Sequence, residues 1–219
     1  MTYTVAPNGS PNSLSAALTM GGLPYAIQQQ GASASSLIGS MPHIAAEGGW
    51  STTFTFVNKS VTSMQTQFSM FDNSGSPLAL PLTFPQRSPS QITEYSENQS
   101  IPGNASLVVQ ASGPSNIPFQ EGSAQLNSAG LIDGFAIFHY GPTNQEAVVP
   151  IETRNATSYL LPFDNTNGVL TGVAIEKVSA QSGMIQLTIR NDNGATVVTF
   201  PPQSAHRQSD NRTKTRRSG

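Results

Sequence analysis

The residues that could do acid–base or metal chemistry are few and widely spaced. His43, His139 and His206 stand far apart in the sequence, and none has another histidine or a carboxylate at a metal-ligand spacing. His139 ends an apolar run, where a rim position explains it. Serine is abundant, but no G-x-S-x-G or S-x-x-K set and no phosphate-binding glycine motif occurs. We therefore predict no catalytic residue, no cofactor and no metal.

Two carboxylates on one predicted strand are the best candidates for hydrolytic chemistry. Glu146 and Glu152 are an even number of residues apart, so an extended strand would place them on one face. Paired carboxylates are the catalytic groups of glycosidases. A solvated face with a local ion pair between Glu152 and Arg154 explains the same residues, and we favour that interpretation. A glycoside hydrolase fragment remains the second alternative.

Trp50 is the candidate ligand-binding residue. It follows Gly48-Gly49, and a tryptophan beside glycines can offer its flat ring face to a sugar. The residue that corresponds to it in an internal repeat is Val169, which favours an apolar packing position. Both interpretations stay open.

Three segments rich in Asn, Asp and Gly resemble pieces of calcium-binding loops. They are residues 72–75 (DNSG), 164–168 (DNTNG) and 191–194 (NDNG). A calcium site needs six to eight oxygens, including a distant bidentate carboxylate, and none stands at the required spacing. Hairpin turns use the same residues, because Asn and Gly tolerate positive φ. We expect turns.

The composition indicates strands joined by turns. Charged residues make up 10% of the 219 residues, and 19 Gly and 16 Pro are present. There is no Cys, so no disulfide or thiolate site is possible. Residues 1–200 carry a formal charge of −6, which disfavours nucleic acid as a partner. No apolar run is long enough to insert in a membrane, and no signal peptide is visible in this fragment.

Alternating apolar and polar residues predict an all-β fold. Phe54 and Phe56 should share one face of a strand, as should Phe68 and Met70 on the next. The predicted strands are residues 3–6, 14–20, 23–29, 52–57, 65–71, 78–84, 91–95, 106–110, 123–127, 134–140, 146–152, 158–162, 169–175, 184–190 and 196–200.

An internal repeat organises the chain. A shift of 119 residues lays residues 49–75 over residues 168–194 without a gap, and it preserves the apolar sites and the turn residues. We therefore predict tandem β-sandwich modules, which the resemblance of residues 1–32 described below implies to be immunoglobulin-like. The predicted parts are a β-domain remnant (1–32), a linker (33–40), a first module (41–130), a second, incomplete module (131–200) and a disordered basic tail (201–219).

Two stretches resemble known families. Residues 1–32 are similar to the last strands of a BACON domain, an immunoglobulin-like module of bacterial secreted proteins. The matching motifs are Val5-Ala6-Pro7-Asn8, Ala17-Leu18-Thr19-Met20-Gly21 and Gln30-Gly31. Residues 41–200 resemble a paired β-sandwich module repeated in large secreted proteins of acidobacterial-type soil bacteria, in stretches such as MPHIAAEGGWSTTFTFVN (41–58), FDNSGSPLALPLTF (71–84) and IRNDNGA (189–195).

These resemblances imply a non-enzymatic structural or adhesive module of a larger secreted or cell-surface bacterial protein. Its implied partners are neighbouring domains of that chain and polysaccharide or surface glycan. Carbohydrate binding at Trp50 is the first alternative. After Phe200 the sequence departs from the repeated pattern, and we expect residues 201–219 to mark a truncated or frame-shifted end.

Overall fold

The computed structural model describes residues 14–29, 35–154, 156–169, 171–178 and 183–205, and these residues form strands and loops. This part of the chain contains no α-helix, which confirms the predicted all-β class. One 3₁₀ turn spans Gly141–Thr143. The strands are β1 (Leu14–Met20), β2 (Leu23–Gln29), β3 (Ser36–Ala46), β4 (Trp50–Asn58), β5 (Met64–Asp72), β6 (Leu80–Phe84), β7 (Ser88–Glu94), β8 (Ser96–Ile101), β9 (Ser106–Ser112), β10 (Gln120–Ser128), β11 (Ile132–Tyr140), β12 (Gln145–Pro150), β13 (Gly183–Ile185), β14 (Thr188–Arg190), β15 (Thr196–Thr199) and β16 (Gln203–Ala205).

The first compact unit contains the hairpin of β1 and β2. The two strands are antiparallel, with Met20 paired to Leu23 across the turn. Gly21 and Gly22 have φ angles of 59° and 82°, the geometry of a two-residue type I′ turn. Both strands have the predicted bounds, while the predicted strand at residues 3–6 lies outside the described residues.

Two sheets of the second unit enclose one core. The four-stranded sheet has the order β3-β10-β5-β8, and the six-stranded sheet has the order β12-β11-β4-β9-β6-β7. Phe54 on β4 lies 4.6 Å, centroid to centroid, from Phe68 on β5, so rings from the two sheets meet between them. Alternate residues of β4 and β5 are buried in this core, as the alternation predicted for Phe54, Phe56, Phe68 and Met70.

A buried amide fixes the loops at one end of these sheets. Asn58 is fully buried, and its side-chain nitrogen donates to the carbonyl oxygens of Thr62, Ile101 and Pro102 at 2.8 to 3.1 Å. Its side-chain oxygen accepts from the Ser60 N–H at 2.9 Å. One side chain thereby satisfies backbone groups from two loops that are distant in sequence.

The structure differs from the predicted partition at two boundaries. Residues 36–40, assigned to a linker, belong to β3, where Gly39 and Ser40 are buried. The boundary at residue 130 falls inside the sandwich, because β11 pairs along its whole length with β4. Ile132 and Phe138 lie in the shared core. β4 pairs with β9 on one side and with β11 on the other. The spacing of residues in the sequence does not indicate that β4 has two neighbours.

Ser40, near the start of the sandwich, and Glu152, after its last strand, are hydrogen-bonded neighbours. The N–H of Ser40 donates to the Glu152 carbonyl at 3.0 Å, and the N–H of Glu152 donates back at 2.9 Å. This antiparallel bridge joins β3, the first strand of the sandwich, to the residues that follow β12.

The repeat is visible in the backbone. We call residues 40–80 the first copy and residues 159–199 the second copy. Gly48 and Gly49 have φ angles of 56° and 91°. Asn167 and Gly168, which lie 119 residues later, have φ angles of 50° and 83°. The N–H of Trp50 donates to the Glu47 carbonyl at 2.8 Å, as that of Val169 donates to Thr166. The same type I′ turn therefore occurs twice.

A threonine clamp is also repeated. The Thr52 hydroxyl donates to the Ala45 carbonyl at 2.7 Å and accepts from the Ala45 N–H at 3.1 Å. One shift later, the Thr171 hydroxyl makes both bonds to the backbone of Asp164, at 2.8 and 3.0 Å. The two copies therefore share the same threonine side-chain hydrogen bonds as well as the same backbone turn.

The second copy nevertheless forms little regular sheet. The described residues of the predicted strands 158–162 and 169–175 are in no strand, and the prediction for 184–190 is met by two short strands, β13 and β14. β13 pairs with β16, so residues 203–205 of the predicted disordered tail are a strand. Strand ladders need partners, and a sequence pattern cannot supply them.

Candidate functional site

An aromatic pair lies at one end of the six-stranded sheet. Trp50 opens β4 and is paired in register with Tyr140, the last residue of β11. Their rings stand 4.6 Å apart, centroid to centroid, with planes inclined by 30°, and both side chains are half-buried. Together they form a partly exposed apolar surface of the kind that can stack on the flat face of a ring.

The turn before Trp50 is restrained by a backbone hydrogen bond and by close packing. The N–H of Gly48 donates to the Pro114 carbonyl at 3.0 Å, and a Cβ on Gly48 would lie 2.7 Å from the Phe119 nitrogen. A Cβ on Gly49 would lie 3.0 Å from the Pro142 ring. Both positions have positive φ and close neighbours, so glycine is required and the backbone that carries Trp50 is fixed.

Sequence reasoning found Trp50 but missed Tyr140. The tyrosines showed no cluster along the chain, and Tyr140 follows Trp50 by 90 positions. The pair exists because β11 adds to the edge of β4, a pairing that the linear pattern does not reveal. Trp50 therefore has an apolar packing partner and also retains an exposed ring surface.

The two described histidines have different surroundings. His43 on β3 lies against the Phe138 ring, at 5.3 Å between centroids. Burial lowers the pKa of His43, and the charge of Glu121 opposes this effect. His139 lies at the end of β11, where its Nε2 is 3.3 Å from the Asn144 side-chain oxygen. His206 lies outside the described residues.

The two candidate carboxylates do not share a strand. Glu146 lies on β12, which ends at Pro150, and Glu152 is bridged to Ser40 of the other sheet. The Arg154 guanidinium donates to both oxygens of Glu152, with one contact at 2.5 Å. Hydrogen bonding from Arg154 lowers the pKa of Glu152, so this carboxylate is a poor proton donor at neutral pH.

The Asx-rich segments form turns. One side-chain oxygen of Asp72 accepts from the Ser74 N–H, the Ser74 hydroxyl and the Ser76 N–H at 2.6 to 2.9 Å. Burial acts to raise the pKa of Asp72, but these hydrogen bonds outweigh it and the pKa is lowered. Asn191 accepts from the N–H groups of Asn193 and Ala195 in the same way. Among the described residues, no group of three or more His, Asp or Glu side chains is arranged to hold a metal ion.

An ion pair links the residue after β4 to β11, at the end of β4 opposite to Trp50. The Lys59 ammonium lies 3.0 Å from a carboxylate oxygen of Asp133, and both side chains are more than half exposed. Hydrogen bonds from Lys59 and from the Gly134 N–H lower the pKa of Asp133. Exposed pairs of this kind contribute about 0–1 kcal/mol, so the pair gives no reason to assign a site.

Comparison with known proteins does not assign a family. No family model, no curated protein and no solved structure matches the chain. Over the residues that the structure describes, no helix is long and apolar enough to span a bilayer.

Proposed function

We propose that the chain is a non-enzymatic, structural or adhesive segment of a tandem array of immunoglobulin-like sandwiches in a secreted or cell-surface bacterial protein. The observation that carries this proposal is the repeated geometry. At a shift of 119 residues the type I′ turn, the threonine clamp and the Asx turn all recur. Duplicated turns and duplicated side-chain hydrogen bonds to the backbone preserve a local fold, which is what a repeated structural module requires.

The N-terminal hairpin supports an array. The same shift lays β1 over residues 133–139 of β11, with Ala17 over Ala136 and Leu18 over Ile137. Both segments are the first strand of an antiparallel hairpin. The hairpin of β1 and β2 therefore corresponds to the closing hairpin of the sandwich that follows it. The resemblance of residues 1–32 to the end of a BACON domain points the same way.

Force spectroscopy on the full chain tests the proposal. If the segment is one module of an array, the residues between Ser40 and Glu152 should unfold as one cooperative unit. Breaking the Ser40–Glu152 bridge should release about 112 residues in one step, lengthening the chain by roughly 370–400 Å. Two smaller steps that divide near residue 130 would contradict a single module and would restore the boundary predicted from the sequence.

Carbohydrate binding is a second candidate, and the Trp50–Tyr140 pair favours it. Binding on a glycan array that Trp50→Ala abolishes would support this function. Tyr95→Ala is the control, since Tyr95 is an exposed aromatic residue between β7 and β8. No binding above background would remove the candidate. Hydrolysis of a glycan that Glu146→Gln abolishes would instead favour the glycoside hydrolase fragment.

A further inference from the structure

A cleft opens within the second copy. It has a volume of about 530 Å³ and lies between residues 163–166 and residues 189–192. Its apolar lining comes from Phe163, Ile189 and Val197. Phe163 is 53% exposed and Val197 is 64% exposed, which is unusual for large apolar side chains that face one another across a cleft.

The first copy shows what the corresponding surface does when it is covered. One shift earlier, the residues that correspond to Phe163, Ile189 and Val197 are Ile44, Met70 and Leu78. Ile44 and Met70 are 0% exposed and Leu78 is 8% exposed. The same positions are therefore core in one copy and open lining in the other.

The strand β10 covers these positions in the first copy. In the first copy, β10 lies between β3 and β5. It pairs antiparallel with β5, with Ala124 opposite Met70 and Gly122 opposite Asp72. Positions 163–166 and 189–192 correspond to residues 44–47 and 70–73, which are the last three residues of β3 and of β5 and the residue after each strand. Within the described residues of the second copy, no strand lies between them.

Within the described residues, β14 is paired with a strand on one side only. β15 already pairs with β14, and the Phe200 N–H donates to the Leu187 carbonyl at 2.9 Å. In the first copy the Met70 backbone makes its bonds on the corresponding side, to Tyr95 and Leu78, and β10 takes the opposite side of β5. A further strand can therefore be added to β14 without displacing β15.

We propose that this cleft is a strand-acceptor site, which binds an extended segment with the residue pattern of β10. Addition of a strand to an open edge is a general mode of peptide recognition, in which backbone hydrogen bonds give affinity and side-chain pockets give specificity. The segment takes the place between residues 163–166 and β14 that β10 takes between β3 and β5.

The residues of β10 in the first copy indicate which sequence the bound segment should have. A Cβ on Gly122 would lie 2.0 Å from the Phe71 carbonyl oxygen, so glycine is needed at that register. The next inward positions hold Ala124 and Leu126, which are buried against Met70 and Phe68. In the second copy the facing residues are Ile189 and Leu187, so a Gly-x-Ala-x-Leu pattern fits.

The test is binding of a labelled peptide that copies residues 119–128 (FQEGSAQLNS) to the full chain, followed by fluorescence anisotropy. We expect saturable one-to-one binding. A peptide with valine in place of its glycine should bind at least about tenfold more weakly, because the added side chain meets backbone. Absence of saturable binding, or equal binding of the valine peptide, would overturn the proposal.

Two chain variants locate the site. Val197→Asp places a charge in the cleft and should weaken peptide binding at least about tenfold. Val148→Asp is the matched control, since Val148 is equally exposed, at 64%, but lies on β12. Equal weakening by both variants would overturn the assignment. Dimerisation of the free chain that Val197→Asp abolishes, without peptide binding, would assign the cleft to a second copy of the chain instead.

The proposal rests on the repeat that also supports the proposed function, but the two can fail separately. Loss of peptide binding with the single unfolding step retained would reject only the strand-acceptor site. A divided unfolding step with peptide binding retained would reject only the proposed module.

Discussion

The threonine clamp offers a controlled measure of what burial adds to a hydrogen bond. Thr52 and Thr171 make the same two bonds to a backbone seven residues upstream. Thr52 and Ala45 are buried at 0% and 2% exposure, whereas Asp164 is exposed. Substitution by valine keeps the side-chain shape and removes both bonds in each copy.

The expected costs differ because water can reach only one of the two sites. Thr52→Val leaves a buried N–H and a buried carbonyl unsatisfied, each costing about 1–3 kcal/mol. The methyl group gained offsets part of this, so we expect a loss of about 2–4 kcal/mol. Thr171→Val exposes the same groups to water and should change stability by no more than about 0.5 kcal/mol. Thr52→Ser keeps the hydroxyl and should lose about 1 kcal/mol with its methyl group.

The assay is urea unfolding followed by tryptophan fluorescence, which reports on the sandwich, and by far-UV circular dichroism, which also reports on the second copy. Trp50 is the only tryptophan, and it lies two residues from Thr52 beside the Tyr140 ring, so its emission reports on the sandwich. An unchanged m-value would show that the same surface unfolds in each variant. A cost for Thr171→Val equal to that for Thr52→Val, or a Thr52→Val cost below about 0.5 kcal/mol, would refute the reasoning.

Three further predictions concern single residues. Because burial holds the folded-state pKa of His43 below its ordinary value of 6.5, stability should be full above pH 6.5 and fall as the pH drops below it; His43→Gln should flatten that fall in pH-dependent urea unfolding. Gly122→Ala should cost about 3 kcal/mol or more in thermal unfolding, because its Cβ would meet the Phe71 carbonyl oxygen, while Gly172→Ala, with open space around it, should be near neutral. Asn58→Ala should cost about 3–4 kcal/mol by leaving several buried carbonyls unsatisfied, whereas exposed Asn98→Ala should cost less than about 0.5 kcal/mol; similar costs for both would contradict the assigned role of Asn58.

Many of the strands were predictable because their signals are local. The strands β1 and β2 have their predicted bounds, and the buried faces of β4 and β5 follow the alternation read from Phe54, Phe56, Phe68 and Met70. β3 was assigned to a linker in its first residues because Ser36, Gly39 and Ser40 are small and polar. Its burial depends on the bridge to Glu152, which lies more than 100 residues away.

The candidate site was only half predictable for the same reason. Trp50 stands out by composition, while Tyr140 joins it through the pairing of β4 with β11. The expected face shared by Glu146 and Glu152 failed because the chain leaves β12 at Pro150 and crosses to the other sheet. Even spacing predicts a common face only while the strand continues.

The sequence by itself determined the all-β class, the inward faces and the turns, because alternation, glycine at positive φ and short side-chain bonds act over a few residues. The tertiary structure decided which strands are partners. Residues with equivalent patterns, such as Ile44 and Phe163, are core in one copy and open in the other. The physical reason is that a strand is stabilised by its neighbours, and the neighbours of residues 163–166 and 189–192 are not encoded in those residues.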